Sequence, residues 1–395
     1  MIALQPDRTR IFVGPPAWTR VLANPPAWTL RSLSTSVVEE TRSAPFHLCQ
    51  SGTNPDDTRL VEGLRMAQAN DDVQNSEHFV HQPVMLDEVV ELFASVPPGL
   101  VIDATVGGAG HASALLSAHG HIKLLGLDQD SNAVSAATNR LEQFGVRAAV
   151  LKTRFDQLAS AAAKAFPGQP VIGVLFDLGV SSPQFDKAER GFSYRMRGPL
   201  DMRMDQRGEL TAAEVVNNYE LDELSDLLRR GGEEQFARRI ARTIIEKRPI
   251  SDTTTLADVV RGAIPAPARR KPGDPARKTF QALRLEVNDE LPVLALAIEA
   301  ALGLLSPGGR CVTLAYHSGE DRLVKERFTE ASTGGCVCPP RLPCVCGAKP
   351  KVRWLSRGRK ATAVEVQDNR RAKSARLRAV EALDQSEITS TGAKP

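Results

Sequence analysis

From about residue 76 onward, apolar and polar positions fall into short, regular blocks. Val84 to Phe93 reads as a helix, with Val89, Val90 and Phe93 on one face. Leu100-Val101-Ile102 is an apolar run that leads directly into Asp103, a glycine-rich stretch and a helix over 112–118. Leu124 to Leu127 predicts a second strand ending at Asp128, and Ser131 to Phe144 a helix. Ala148–Leu151 predicts a third strand, and Val171–Phe176 a fourth that ends at Asp177. Strands alternating with helices predict a parallel α/β sheet.

After Asp186 the period changes. Thr211-Ala-Ala-Glu214 is a capping box that opens a helix. Leu221, Leu224, Leu227 and Leu228 continue at helical spacing. Phe236, Ile240 and Ile244 form a stripe opposite Arg238, Arg239 and Arg242, and Leu256, Val259, Val260 and Ile264 form another. Residues 187–285 are therefore expected to be all-helical. Arg310–Ala315 resumes the sheet, and Asp321–Phe328 predicts a helix. The expected architecture is a Rossmann-like sheet over 76–186 and 286–383, interrupted by an all-helical domain over 187–285.

Residues 1–75 differ. They repeat Pro-Pro-Ala-Trp-Thr at 15–19 and 25–29 and are then rich in Pro, Ser, Thr, Asn and Asp. Two copies do not make a solenoid. We expect a poorly ordered extension here, and a disordered tail over 384–395. No charged segment followed by an apolar core marks a secretory signal, and no apolar run is long enough to span a membrane. These features favour a cytoplasmic location with no membrane partner.

Of 395 residues, 50 are Lys or Arg and 47 are Asp or Glu, which excludes a histone-like polycation. The charge is uneven, however: residues 347–395 hold twelve basic and five acidic side chains. Arg370 and Arg371 lie in that end, and Lys278 and Arg284 in a second basic cluster near 269–284. Both clusters suit phosphate contacts, which position RNA without reading sequence.

The candidate chemistry starts at the glycine turn. A strand, Gly107-Gly108-Ala109-Gly110 and a helix together form a nucleotide-cofactor turn, because glycine lets a ligand approach the backbone and the helix start offers N–H groups. The third glycine of the dinucleotide fingerprint is missing, since Ser113 stands there. Asp128 follows Gly110 by 18 residues, suited to the hydroxyls of an adenosine ribose. The missing glycine turns the choice from NAD toward S-adenosylmethionine. Asp177 ends the fourth strand, where ligands of open α/β sheets bind. No aromatic residue follows it directly, so a base-stacking ring must come from elsewhere. Phe192, Tyr194 and Tyr316 are the candidates.

From about His78 to Leu383 the chain resembles the ribosomal small-subunit RNA cytosine-N4 methyltransferases, the RsmH/MraW type. The segments DLGVSSPQ at 177–184, PLDMRMD at 199–205 and TFQALR at 279–284 carry the resemblance, with HSGEDR at 317–322 and NRRAKSARLR at 369–378. Gly319 departs from the family pattern, which has leucine there, and puts local packing in doubt. The resemblance implies methyl transfer from S-adenosylmethionine to N4 of a cytidine in the decoding centre of 16S ribosomal RNA. It implies the small ribosomal subunit as partner and a homodimer as a possible assembly. It places cofactor contacts on Ala109, Gly110, His111, Asp128, Phe155, Asp177 and Gln184. We take Asp177 as the catalytic acceptor for the N4 hydrogens. The alternatives are an amino methyltransferase acting on DNA or another RNA, and a non-catalytic ribosome-assembly factor.

Six cysteines are too few for a secreted disulfide framework in a chain of this length. Four fall in the pattern Cys336-x-Cys338-x5-Cys344-x-Cys346. The usual zinc pair is C-x2-C, so the C-x-C spacing favours reduced loop cysteines and no metal.

Overall fold

The computed structural model describes residues 83–179, 187–233, 235–270, 272–339 and 345–384. Seven strands build one sheet: β1 Gly99–Asp103, β2 Ile122–Asp128, β3 Ala148–Lys152, β4 Val171–Asp177, β5 Leu305–Ala315, β6 Val352–Arg359 and β7 Arg376–Ala382. Their order is β3-β2-β1-β4-β5-β7-β6. The first five are mutually parallel, while β7 runs antiparallel to β5 and β6 antiparallel to β7. The architecture is a Rossmann-like doubly wound sheet with an antiparallel hairpin at one edge.

The parallel strands explain their own sequence. All five residues of β1 are buried, as are six of seven in β4, because helices cover both faces. One face packs Phe93, Leu115 and Leu116. The other packs Leu158, Leu294, Ile298 and Phe328. The chain order reverses beside β1, with β2 on one side and β4 on the other. A crevice opens there at the carboxyl ends of the strands.

Between β4 and β5 lies a helical block with its own apolar cluster, including Leu224, Ile240, Ile244, Leu256 and Phe280. The Thr211 capping box forms: the Glu214 carboxylate accepts from Thr211 N at 2.7 Å, and Thr211 Oγ1 accepts from Glu214 N at 3.3 Å. The stripe geometry also holds, with Ile240 and Ile244 buried and Arg238, Arg239 and Arg242 exposed. This block and the sheet share one compact unit. The expectation of an all-helical 187–285 is corrected at its start. Apart from a single turn at Ala188–Arg190, the described residues 187–211 are irregular. They cross themselves so closely that a Cβ on Gly198 would sit 1.8 Å from Ala188 O, a path no helix follows.

A second correction concerns the basic C-terminal end. It builds the antiparallel hairpin β6–β7, and several of its cations are spent inside the fold. Arg378 forms a two-pronged ion pair with Asp321, at 2.8 and 3.1 Å. Glu381 receives Arg310 on Oε2 at 2.9 Å and Arg353 on Oε1 at 3.0 Å. Because Glu381 is only 8% exposed, removing it leaves the mostly buried Arg310 guanidinium without its carboxylate, with only the Leu92 carbonyl as acceptor among the described residues. Glu381→Ala is expected to cost about 3 kcal/mol of unfolding free energy. Urea denaturation measures this directly, and a loss within about 0.5 kcal/mol, as for an ordinary surface change, contradicts the structural role.

Candidate active site

The crevice is a cavity of about 840 Å³, bounded by the strand ends and by the helical block. Two carboxylates line it, Asp128 at the end of β2 and Asp177 at the end of β4, and a third, Asp103, is buried at the end of β1 between those strands. Asp103 is buried, and loss of hydration pushes its carboxyl up to about 7, with the charges of Asp177 and Asp128 adding to the rise. Burial likewise raises Asp128 to about 6, against hydrogen bonds from the Asp130 and Gly107 amides that favour its charged form.

One short turn organises all three. Thr105 N donates to Asp103 Oδ1 at 3.2 Å, and Thr105 Oγ1 accepts from Asp177 N at 2.7 Å. Gly107 N donates to Asp128 Oδ2 at 3.1 Å, while Asp130 N donates to Oδ1 at 2.9 Å. Gly107 takes a left-handed φ of 49°, and Ala109 does so as well at 59°. Space beside Gly108 is open, whereas a Cβ on Gly110 would press 2.4 Å from Pro83 Cγ. Gly108 thus leaves room for a ligand, and Gly110 is required by packing. Ala109, the N-cap of the helix Gly110–Ala118, makes no side-chain cap hydrogen bond, and the first helical residues Gly110 and His111 line the cavity.

Asp177 is held from two sides. Tyr316 Oη donates to its Oδ1 at 2.6 Å, and His111 Nδ1 lies 3.5 Å from its Oδ2. His111 is buried, and its Nε2 donates to Val84 O at 2.9 Å. Burial and the negative charge of Asp177 push the Tyr316 phenol well above its ordinary value, so it remains a donor. The side chain of Asp177 keeps 22% exposure toward the cavity. Tyr316 itself follows β5 and is steadied by Glu320, whose Oε2 accepts from Tyr316 N at 2.9 Å. Glu320 is in turn part of the capping box with His317 that opens the helix Ser318–Thr333. Gly319 fits this junction, since its amide donates to His317 Nδ1 at 3.2 Å.

The structure brings Ala109, Gly110, His111, Asp128, Phe155 and Asp177 together around or directly behind one cavity. Phe155 sits just after β3, edge-on to Phe176 with ring centres 6.1 Å apart. Gln184 lies outside the described residues. Of the three candidate rings, Phe192 and Tyr194 line the helical-block side, and Tyr194 packs edge-on against Phe280. The hydroxyl of Tyr316 is committed to Asp177.

The proposed RNA contacts separate. Arg370 and Arg371 line the cavity, together with Arg277 and Lys373. Lys278 is outward and lies 3.8 Å from Glu233. Arg284 is buried and bound two-pronged to Glu290 at 2.8 and 2.9 Å, so its guanidinium is satisfied within the protein. Arg190 escaped the sequence reading. It is buried, pairs with Asp130 at 2.9 Å and donates to the carbonyls of Arg203 and Met204. It fastens the irregular 187–204 segment to the end of β2, beside the cavity.

A family model described as the MraW methylase family matches residues 78–383. The chain belongs to this family. A ribosomal RNA small subunit methyltransferase H from Symbiobacterium thermophilum is 48% identical over 317 residues, 78% of this chain and 98% of that protein. The protein of the same name from Frankia alni is 49% identical over 76% of this chain and 95% of its own length. A solved structure described as an rRNA methylase from Streptococcus thermophilus is 12% identical, with a TM-score of 0.34, over 76% of this chain and 94% of that one.

The buried floor carries a pH signature. Native Asp103 holds a proton up to about pH 7, while its unfolded carboxyl releases one near its ordinary 3.8. A raised native pKa means that this contribution to stability is full below pH 3.8 and is lost as pH rises through 7. Asn keeps the acceptor for Thr105 N and carries no charge. Asp103→Asn should therefore gain melting temperature over the parent as pH goes from 5 to 8. A difference that stays constant across that range contradicts the buried, raised carboxyl.

Proposed function

We propose that this methyltransferase acts on N4 of a cytidine in the decoding centre of 16S ribosomal RNA. The observation that carries the reading is the Asp177 carboxylate, fixed by Tyr316 and open to the cavity beside the glycine turn. The family membership and the shared name of the 48% and 49% identical relatives support ribosomal RNA of the small subunit as substrate.

S-adenosylmethionine, the methyl donor, supplies an already electrophilic methyl group. The residues present fit it. The open space at Gly108 and the uncapped helix start would receive its polar end, and Asp128 would have lone pairs left for ribose hydroxyls. Phe155 offers an apolar ring for the adenine. At neutral pH Asp128, at about 6, is mostly ionised and accepts hydrogen bonds.

The protein's own task is alignment. A cytosine amine donates its lone pair to the ring and is a weak nucleophile. Asp177 accepts a hydrogen bond from N4–H, which raises that nucleophilicity and offsets the positive charge that develops on nitrogen. Tyr316 and the Thr105 contact to the Asp177 backbone keep the carboxylate in one place, and fixed orientation is worth more than basicity alone. The proton lost from N4 passes to Asp177 or to solvent. A base flipped out of its stack would need an apolar face, and on the cavity wall the partly exposed Tyr194 ring could offer one, whereas Phe192 is buried beneath Arg190.

Radiolabelled methyl transfer to small subunits, naked RNA and DNA, followed by nucleoside analysis, tests this. N4-methylcytidine in 16S RNA is the expected product. Label on another base, on DNA only, or nowhere contradicts the proposal.

A further inference from the structure

A second cluster of reactive side chains lies away from the cavity. The helix Ser318–Thr333 ends at Gly334, and the chain then loops out before re-entering the sheet at β6. The stem of this loop is fastened. Lys351 N donates to Ala331 O at 2.8 Å, and Trp354 Nε1 donates to Ser332 Oγ at 3.0 Å. Gly334, at φ 64°, approaches Lys349 so closely that a Cβ would meet its carbonyl oxygen at 2.4 Å.

Beyond the stem, the described apolar residues of the two limbs are exposed. Val337 and Val345 are each 88% exposed. The sulfurs gather instead. Sγ atoms of Cys336, Cys338 and Cys346 all lie within 4.8 Å of one another. Cys336 and Cys346, from opposite limbs, are 3.6 Å apart. That is far beyond a disulfide bond of about 2.05 Å. It matches thiolates at the corners of a tetrahedron around zinc, which a Zn–S distance of about 2.3 Å places about 3.8 Å apart. The C-x-C spacing, which argued against metal in the sequence, works here for a simple reason. The chain turns Val337 out, at 88% exposure, and brings the Cys336 and Cys338 sulfurs together on the other side.

We propose that Cys336, Cys338 and Cys346 form a zinc site that clamps the loop between Gly335 and Lys351. Three soft thiolates select zinc over the hard cations. The bound ion ties the two limbs into one unit. Binding releases the thiol protons, and the fourth position takes a further donor from the chain or from water. None of the three sulfurs belongs to the cavity wall, so the site is separate from methyl transfer.

Full-length protein purified without added metal should carry about one zinc per chain by elemental analysis. The double variant Cys336→Ser/Cys346→Ser should lose it, and Cys49→Ser should keep it. Should the double variant misfold, cobalt exchanged into the parent protein gives an independent answer through its intense thiolate-to-metal absorption. Affinity for S-adenosylmethionine should stay within about twofold after chelation, while trypsin cleavage within the loop accelerates. Protein with no zinc and no cobalt–thiolate absorption would overturn the proposal. So would iron in place of zinc, zinc retained by the double variant, or a Cys336–Cys346 disulfide in unreduced digests.

Discussion

Three carboxylates at the ends of three neighbouring strands set the constraint on which this structure depends. Burying charge is costly unless each group is neutralised or supplied with donors. The protein does both. Asp103 holds its proton up to about pH 7. Asp128 receives the amides of Gly107 and Asp130. Asp177 receives the phenol of Tyr316. The turn from Thr105 to Gly110 supplies much of what the floor needs, and its left-handed residues follow from that duty. The glycine-rich turn thus ties the ends of β1, β2 and β4 together.

The same constraint explains what the helical block contributes. Its irregular lead-in reaches back to the sheet through Arg190, whose guanidinium is used on Asp130 and two carbonyls. Arg284, from the far end of the block, ends on Glu290. Each of these cations is buried, and each joins the block to the sheet's end of the cavity. Arg190, Arg284 and Arg378 have their guanidinium groups engaged by carboxylates of the fold, and Arg190 and Arg284 do so on the cavity wall itself, which Arg277, Arg370, Arg371 and Lys373 also line.

Much of this was legible in the sequence, for physical reasons. A parallel strand covered on both faces reads as an unbroken apolar run, so β1, β2 and β4 announced themselves, and so did the acids at their ends. Amphipathic helices such as Ala237–Glu246 were equally plain. The C-terminal hairpin was not, because Arg353, Arg357 and Arg359 on β6 read as a solvated basic run rather than the alternating edge strand that they form. The segment 187–211 has no period to read, since its shape comes from close backbone crossings. The pairing of Tyr316 with Asp177 spans 139 positions, and only the sheet order makes them neighbours. The cysteine spacing was legible, but its meaning depended on where the loop brings the sulfurs together.

The central proposal is that Asp177, besides any contact with the cofactor, accepts a hydrogen bond from the amine. A single-turnover rate for Asp177→Asn, taken alongside its affinity for S-adenosylmethionine, tests this most directly. The amide keeps an acceptor for Tyr316 and loses the charge facing N4. The account predicts a rate reduced by about 10²- to 10³-fold, with affinity held within a few-fold. A near-parental rate at intact affinity, or a loss of affinity that alone accounts for the slower reaction, would contradict it.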